Sequence, residues 1–266
     1  MIKVGIIGGT GLERPNYLDK VTKILTDTPF GKPSSALYTG SFNDVEVFHL
    51  ARHGEEHTIP STLVNHRANI YALKDLECSF IMATSTCGSL QEEICPGEFI
   101  VLDQFIDLTK HRQNTVYEEL KPGEVRYTPM AEPFSESLRD HLIEGAIISG
   151  FTVHTKGTVI TIEGPRFSTR AESNLYRSWK ADVINMTTAP EVIIANELDI
   201  PYATIAVCTE YDSWRTETLS PSPAEIMEVI AQNTEKLVKV ITHALNKLDQ
   251  GCLLYTSDAA DEEDSV

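Results

Sequence analysis

Long apolar runs, paired cysteines, basic charge and the familiar nucleotide-binding fingerprints are all missing or scarce in this chain. No run of about 18 apolar residues occurs among its 266, so no membrane-crossing helix is expected. Met1-Ile2-Lys3-Val4 passes directly into a strand-like pattern, which does not suggest a secretory leader; a cytoplasmic protein is expected. Cysteine occurs only at positions 78, 87, 95, 208 and 252, an odd set with no C-x-x-C pair. That usage fits reduced thiols rather than a disulfide framework or structural zinc. Against 39 Asp+Glu there are only 22 Lys+Arg, a net charge of −17, which disfavours nucleic acid and anionic membranes as partners. Any anionic ligand must be held locally.

Three motifs are absent as well. Gly9-x-Gly11 would need glycine at position 14 to make a dinucleotide fingerprint, and Arg14 stands there. No Gly-Lys-Ser/Thr loop and no G-x-S-x-G elbow is present, which argues against a P-loop enzyme and an α/β-hydrolase. A nucleotide-binding oxidoreductase is correspondingly disfavoured.

What is present is enough for a full core, with 41% hydrophobic residues. Short β-branched runs at 4–7, 45–50, 80–83, 99–102, 158–162, 183–186 and 202–207 read as buried strands. Helical spacing marks 65–76, 135–148, 169–179 (with Leu175 near Trp179) and 190–198, and a last helix follows Pro221-Ser222-Pro223 to about Leu248. The alternation implies an α/β fold. Residues 1–248 are expected to form one domain, with 110–126 a long loop of the kind that tends to be functional. The segment 249–266 reads as a disordered or non-native acidic tail; from Gly251 it resembles a translated sequencing adapter, a native acidic tail being the alternative.

Six segments could carry chemistry, each at a strand end where α/β sheets place ligands. Gly8-Gly9-Thr10-Gly11 suits either a phosphate cradle or a tight turn. In Arg52-His53-Gly54-Glu55-Glu56-His57, Arg offers a planar fork for phosphate oxygens; the two His match metal-ligand spacing, but the order of a zincin is not kept, so ordinary loop His are the alternative. Thr84-Ser85-Thr86-Cys87-Gly88-Ser89 is a hydroxyl cluster for phosphate or sugar, or a self-satisfied polar loop; Cys87 has no matching base motif to make it a nucleophile. The segments 161–172 and 185–191 are ligand loops or ordinary helix caps. Glu210 and Asp212 would share a face if the strand persisted, and such a pair can accept from an amino group and donate to a ring nitrogen if one stays protonated. A solvated acidic turn is the alternative.

In this order the segments resemble the trimeric purine nucleoside phosphorylase family, most closely its 5′-methylthioadenosine phosphorylase branch. The resemblance covers about residues 1 to 248. It rests on GIIGGTGL from Gly5, DTPFGKPS from Asp27, LARHG from Leu50, VN-x-x-AN from Val64 and CGSL-x-EEI-x-PG from Cys87. DQFID from Asp103, PMAEPF from Pro129, TIEGPRFS-x-RAES from Thr161 and ADVINMTT-x-PE from Ala181 extend it.

The resemblance implies an α/β single domain with a distorted central mixed sheet flanked by helices. It implies a homotrimer, possibly a dimer of trimers, with sites near subunit interfaces. The implied reaction is phosphorolysis of a purine nucleoside without metal or organic cofactor, inorganic phosphate being a co-substrate. By position, Thr10, Arg52, His53, Ser85, Thr86 and Thr187 would bind phosphate, Met186 would lie under the ribose, Phe167 and Ser168 would contact the base, and Glu210 and Asp212 would read N7 and the 6-amino edge as catalytic groups. The branch has Asp where Glu210 stands, commonly His where Tyr127 stands, reaching a neighbouring subunit's ligand, and an aliphatic residue where Pro223 stands; Pro60 sits one place early. A purine nucleoside phosphorylase acting on adenosine, inosine, guanosine or methylthioinosine is the nearest alternative, and a non-catalytic nucleoside-binding protein the alternative from another class.

Overall fold

The computed structural model of the chain describes residues 1–216 and 222–249, so the tail expected beyond the last helix lies, from residue 250, outside the described residues. In chain order the elements are β1 (Ile2–Gly8), β2 (Asp19–Ile24), β3 (Leu37–Phe42), β4 (Val45–Ala51), α1 (His66–Asp75), β5 (Phe80–Ser89), β6 (Phe99–Val101), β7 (Gln104–Leu108) and α2 (Glu136–Ile148). Then follow β8 (Val153–His154), β9 (Thr158–Ile162), α3 (Arg170–Ser178), β10 (Val183–Asn185), α4 (Thr188–Glu197), β11 (Tyr202–Tyr211) and α5 (Pro223–Asp249).

Each strand expected from an apolar run forms. β2, β3, β7 and β8 were not legible as such runs, and for β2 and β7 the reason is position: they end the strand order β2-β3-β4-β1-β5-β10-β9-β7, β2 is exposed and β7 half-buried throughout, so neither needs a continuous apolar sequence. Residues 109–135 contain no helix or strand, as expected for the long loop.

Alternation along the strands sends side chains to two layers. Ile81, Tyr202, Ala206 and Cys208 join α1 and α4 (Ile70, Leu73, Val192, Ala195) on one face. Val4, Ile6, Met82, Ala203, Ile205 and Val207 meet α2 and α5 (Leu138, Leu142, Leu237, Val240, Ile241, Leu245) on the other. On α3 the expected pairing of Leu175 with Trp179 is not the buried one: both are half exposed, and Ser173 and Tyr176 face inward, beneath a Thr169–Glu172 capping box.

The sheet is mixed and distorted at its centre. β5 runs parallel to β1 only from Phe80 to Ala83, and pairs antiparallel with β10 only at Gly88 and Ser89. Between them, Thr84 to Cys87 keep β11 on one side and have no strand on the other. An opening in a sheet exposes side chains that a closed ladder would cover, and the hydroxyl cluster lies in this one.

Candidate active site

A cavity of about 550 Å³ sits at the opening, large enough for a nucleoside and an anion. Strand ends of β1, β4, β5, β10 and β11 supply its floor, and α5 closes one side with Pro223, Ile226, Met227 and Ile230. Thr10, Arg52, His53, Ser85, Thr86, Phe167, Ser168, Met186, Thr187, Glu210 and Asp212 all line it. Tyr127 does not: it is 90% exposed on the long loop, outside the cavity of its own chain.

At one end the polar groups are already held. The glycine loop is a tight turn rather than an amide cradle, because the Gly9 amide donates to Thr84 Oγ1 (3.0 Å) and the Gly11 amide to Glu13 Oε1 (3.1 Å). Its task is to present Thr10. Glycine at position 9 is a steric requirement, since a Cβ there would meet the Thr84 carbonyl oxygen at 2.6 Å and Arg52 Nη1 at 2.8 Å. The far side of the turn is pinned by His49, whose Nε2 contacts the Leu12 carbonyl (3.0 Å) and whose Nδ1 contacts Tyr17 Oη (3.0 Å). Burial pushes this imidazole down to about 4, leaving it neutral, so Nε2–H donates and Nδ1 accepts.

Arg52 is 2% exposed, and its fork faces Glu191 rather than the cavity: Nε lies 2.5 Å from Oε1 and Nη2 2.9 Å from Oε2, while Nη1 donates to the Thr84 carbonyl (2.7 Å). The planar fork expected to meet phosphate oxygens is thus taken by Glu191, with one further N–H on each terminal nitrogen and Tyr202 also hydrogen-bonded to the guanidinium. Burial, with Arg52 adjacent, pushes His53 down to about 4. It is neutral at pH 7, and Nδ1–H donates to the Ile59 carbonyl (2.9 Å). His53 and His57 stack with centroids 4.8 Å apart and His57 has a positive φ, so the pair does not ride on a helix. No cluster of three or more His, Cys, Asp or Glu suited to a metal ion occurs among the described residues.

Ser85 is engaged too, accepting from Asn185 Nδ2 (3.1 Å) and donating to the Thr86 carbonyl (3.1 Å). Thr187 is the N-cap of α4 with its side chain making no cap bond, which leaves that hydroxyl for a ligand beside the positive end of the helix dipole. Cys87 is no nucleophile. The adjacent Cys208 thiol and burial hold it well above the ordinary thiol range.

The other end holds polar groups without partners. A bulge between Cys208 and Glu210 in β11 brings Glu210 opposite Gly88, where any Cβ would lie 3.3 Å from Glu210 Oε1 and 3.2 Å from Ile184 Cγ2. β11 ends at Tyr211, yet Asp212 still reaches the cavity with Glu210, while Tyr211 turns away to Cys95 and Glu92. Burial, reinforced by the charge of Asp212, pushes Glu210 up to about 7. Hydrogen-bond valence agrees: Thr209 Oγ1 contacts both the Cys87 carbonyl (3.3 Å) and Glu210 Oε2 but has one proton, so both contacts are satisfied together only when the carboxyl donates. Asp212 Oδ2 and Ser168 Oγ are buried and have no hydrogen-bond partner among the described residues. Met186 Sδ accepts from Ser61 Oγ (3.3 Å), fixing the thioether between the two ends.

Residues 3–246 match the Phosphorylase superfamily. The chain belongs to that superfamily. It is 48% identical over 251 residues to S-methyl-5′-thioadenosine phosphorylase of Xenopus tropicalis, covering 93% of this chain and 89% of that one. Identity to the Ciona intestinalis protein of the same name is 46% over 245 residues, covering 91% and 88%. Among solved structures, methylthioadenosine phosphorylase from Schistosoma mansoni in complex with adenine superposes with a TM-score of 0.88 at 40% identity, over 94% of this chain and 93% of that chain.

Sequence reasoning about this phosphorylase gave no role to Asn185, which lines the cavity and donates to Ser85 Oγ, nor to Glu191, His66, Arg112 or Tyr202, which lie behind the lining residues. Glu191 and Asn185 stood in recognised motifs; their signal was a polar residue predicted on a buried face, which pattern alone does not separate from a cap.

Proposed function

We propose that the chain cleaves 5′-methylthioadenosine with inorganic phosphate, giving adenine and 5-methylthioribose 1-phosphate, without metal or organic cofactor. What supports this reading is one cavity with Thr10, Arg52, His53, Thr86 and Thr187 at one end and, at the other, Glu210, whose carboxyl burial pushes up to about 7, beside Asp212, whose Oδ2 has no hydrogen-bond partner among the described residues. Phosphate oriented by the first set attacks C1′ as the glycosidic bond breaks through an oxocarbenium-like state. The departing purine gains negative charge, and Glu210 supplies a proton at N7. Asp212 Oδ2 accepts from the 6-amino group; a 6-oxo group would bring lone pairs against it. Met186 lies under the ribose and Phe167 and Ser168 contact the base. Pro223, Ile226, Met227 and Ile230 offer an apolar wall to a methylthio group.

The likeness to named methylthioadenosine phosphorylases supports the same substrate. Adenosine is the second reading, favoured by Tyr127, whose phenol could bond a 5′-hydroxyl. Tyr127 stands exposed on the long loop, as suits a residue that completes a neighbouring subunit's site in a homotrimer. A cytoplasmic location is part of the same reading; among the described residues no helix is long and apolar enough to cross a membrane.

The test is release of base from methylthioadenosine, adenosine and inosine, with and without phosphate. Release should require phosphate and favour methylthioadenosine over inosine. Phosphate-independent release would make the protein a hydrolase, no release from any nucleoside would favour a binding protein, and preference for inosine would overturn the 6-amino assignment.

A further inference from the structure

Glu191 lines no part of the cavity, yet it is completely buried and grips the one arginine that does the most charged work there. Its two oxygens hold Nε and Nη2 of Arg52 in a fork-to-fork pair, and the Thr84 carbonyl holds Nη1. Three of the five guanidinium N–H groups are therefore fixed in one plane. Two N–H groups remain, one on each terminal nitrogen, and their direction is set by that clamp together with Tyr202, which also hydrogen-bonds the guanidinium.

The carboxylate is itself held from behind. Tyr202 Oη donates to Oε2 (2.9 Å), and His66 Nδ1 lies 3.5 Å from Oε1. Arg112 Nη1 donates to His66 Nε2 (3.2 Å), so the proton of the neutral ring is on Nδ1, facing Glu191. Arg112 in turn is anchored by Glu163 through Nε (3.0 Å) and the Glu163 carbonyl (2.7 Å). A guanidinium supported by such a chain keeps its orientation whether or not an anion is bound, and its charge is balanced before the anion arrives.

We propose that Glu191 is a positioning residue for the anionic co-substrate: it aims Arg52 at phosphate and makes no contribution to nucleoside binding. The proposal rests on the phosphorolysis reading above. It is tested with Glu191→Gln, varying phosphate and methylthioadenosine independently. The amide keeps the volume but replaces one acceptor with a donor facing the guanidinium. KM for phosphate should rise at least tenfold while KM for methylthioadenosine and Kd for adenine stay within about twofold. Tyr202→Phe, which removes only the support from Tyr202, should shift phosphate KM about two- to fourfold in the same direction.

An unchanged phosphate KM in folded Glu191→Gln overturns the proposal, as does a parallel rise in both constants, which would mark a merely structural role. Should Glu191→Gln fail to fold, Tyr202→Phe decides: unchanged phosphate KM overturns it. Wild-type activity that ignores phosphate removes the phosphorolysis reading and this inference together; the outcomes above, with wild-type activity phosphate-dependent, remove the inference alone.

Discussion

The two ends of the cavity treat buried polarity in opposite ways. At the Arg52 end every charge is matched within the protein: Arg52 by Glu191, Arg112 by Glu163, and His53 and His66 kept neutral by burial. At the Glu210 end, Asp212 Oδ2 and Ser168 Oγ are buried with no partner among the described residues, and Glu210 is pushed toward neutrality. A buried polar group without a partner costs about 1 to 3 kcal/mol, so the second end is built at a loss that a ligand's donors can recover. On the proposed reading, the first end presents a fixed anion seat, and the second, costly until filled, is the end that discriminates between ligands.

Removing the arginine should give the largest effect on stability. Arg52→Ala leaves Glu191 as an uncompensated carboxylate at zero exposure, and breaking a buried pair costs about 3 to 5 kcal/mol. Urea unfolding should show a loss of that size, and the double variant with Glu191→Ala should lose less than the sum of the two single changes. Additive losses would mean that the pair is not a unit, and the contrast between the ends would dissolve. Glu191 sits well below the usual carboxylate range because Arg52 is beside it, against the opposing effect of burial. Its contribution to stability is present above the ordinary Glu range and is lost as pH falls through the folded value.

At the other end the largest effect should be on substrate choice. Asp212→Asn replaces a carboxylate by a group that can donate, which should lower kcat/KM for a 6-amino nucleoside about 10- to 100-fold and narrow the preference over inosine, as expected for about 1 to 3 kcal/mol of unpaired polarity. An unchanged ratio of adenosine to inosine would remove Asp212 from base reading.

Glu210 should give a smaller, pH-dependent signal. Its folded value, near 7, lies above its ordinary one, so protonation favours the fold: this contribution is full below the ordinary Glu range and is lost as pH rises through about 7. If, as proposed, the same proton serves N7, kcat/KM should fall about tenfold per pH unit above 7, a limb that Glu210→Gln should abolish. A profile flat from pH 6 to 9 in the wild type would assign the proton elsewhere.

Which parts of this were readable in the sequence follows from what each residue has to do alone. β1, β5 and β11 declare themselves through the buried apolar runs 4–7, 80–83 and 202–207, whereas β2 is exposed and is held in place by pairing with β3, information that no local pattern contains. Thr10, Arg52 and Glu210 lie at strand ends within recognisable motifs, and Ser85 lies in another, inside β5. His66 and Arg112 become important only because α1 and the long loop bring them together behind Glu191, 46 residues apart in the chain. The glycine turn was legible as a loop, but whether its amides were free depended on Thr84 and Glu13.

The smallest effect is also the sharpest test of the contrast, because its sign differs from that of an ordinary truncation. Ser168 Oγ is buried against the cavity with no partner among the described residues, while the Ser168 backbone carbonyl is held by Ser213 Oγ at 2.7 Å. Ser168→Ala therefore removes an unsatisfied hydroxyl without disturbing the backbone. The free protein should become no less stable, and more stable by up to about 1 kcal/mol, since deleting an unpaired buried polar atom relieves its desolvation cost. Nucleoside KM should rise a few-fold with phosphate KM unchanged, because the hydroxyl finds its partner only in the bound state. A loss of stability would mean that Ser168 is satisfied in the free protein, and the base end would then be prepared in the same manner as the phosphate end.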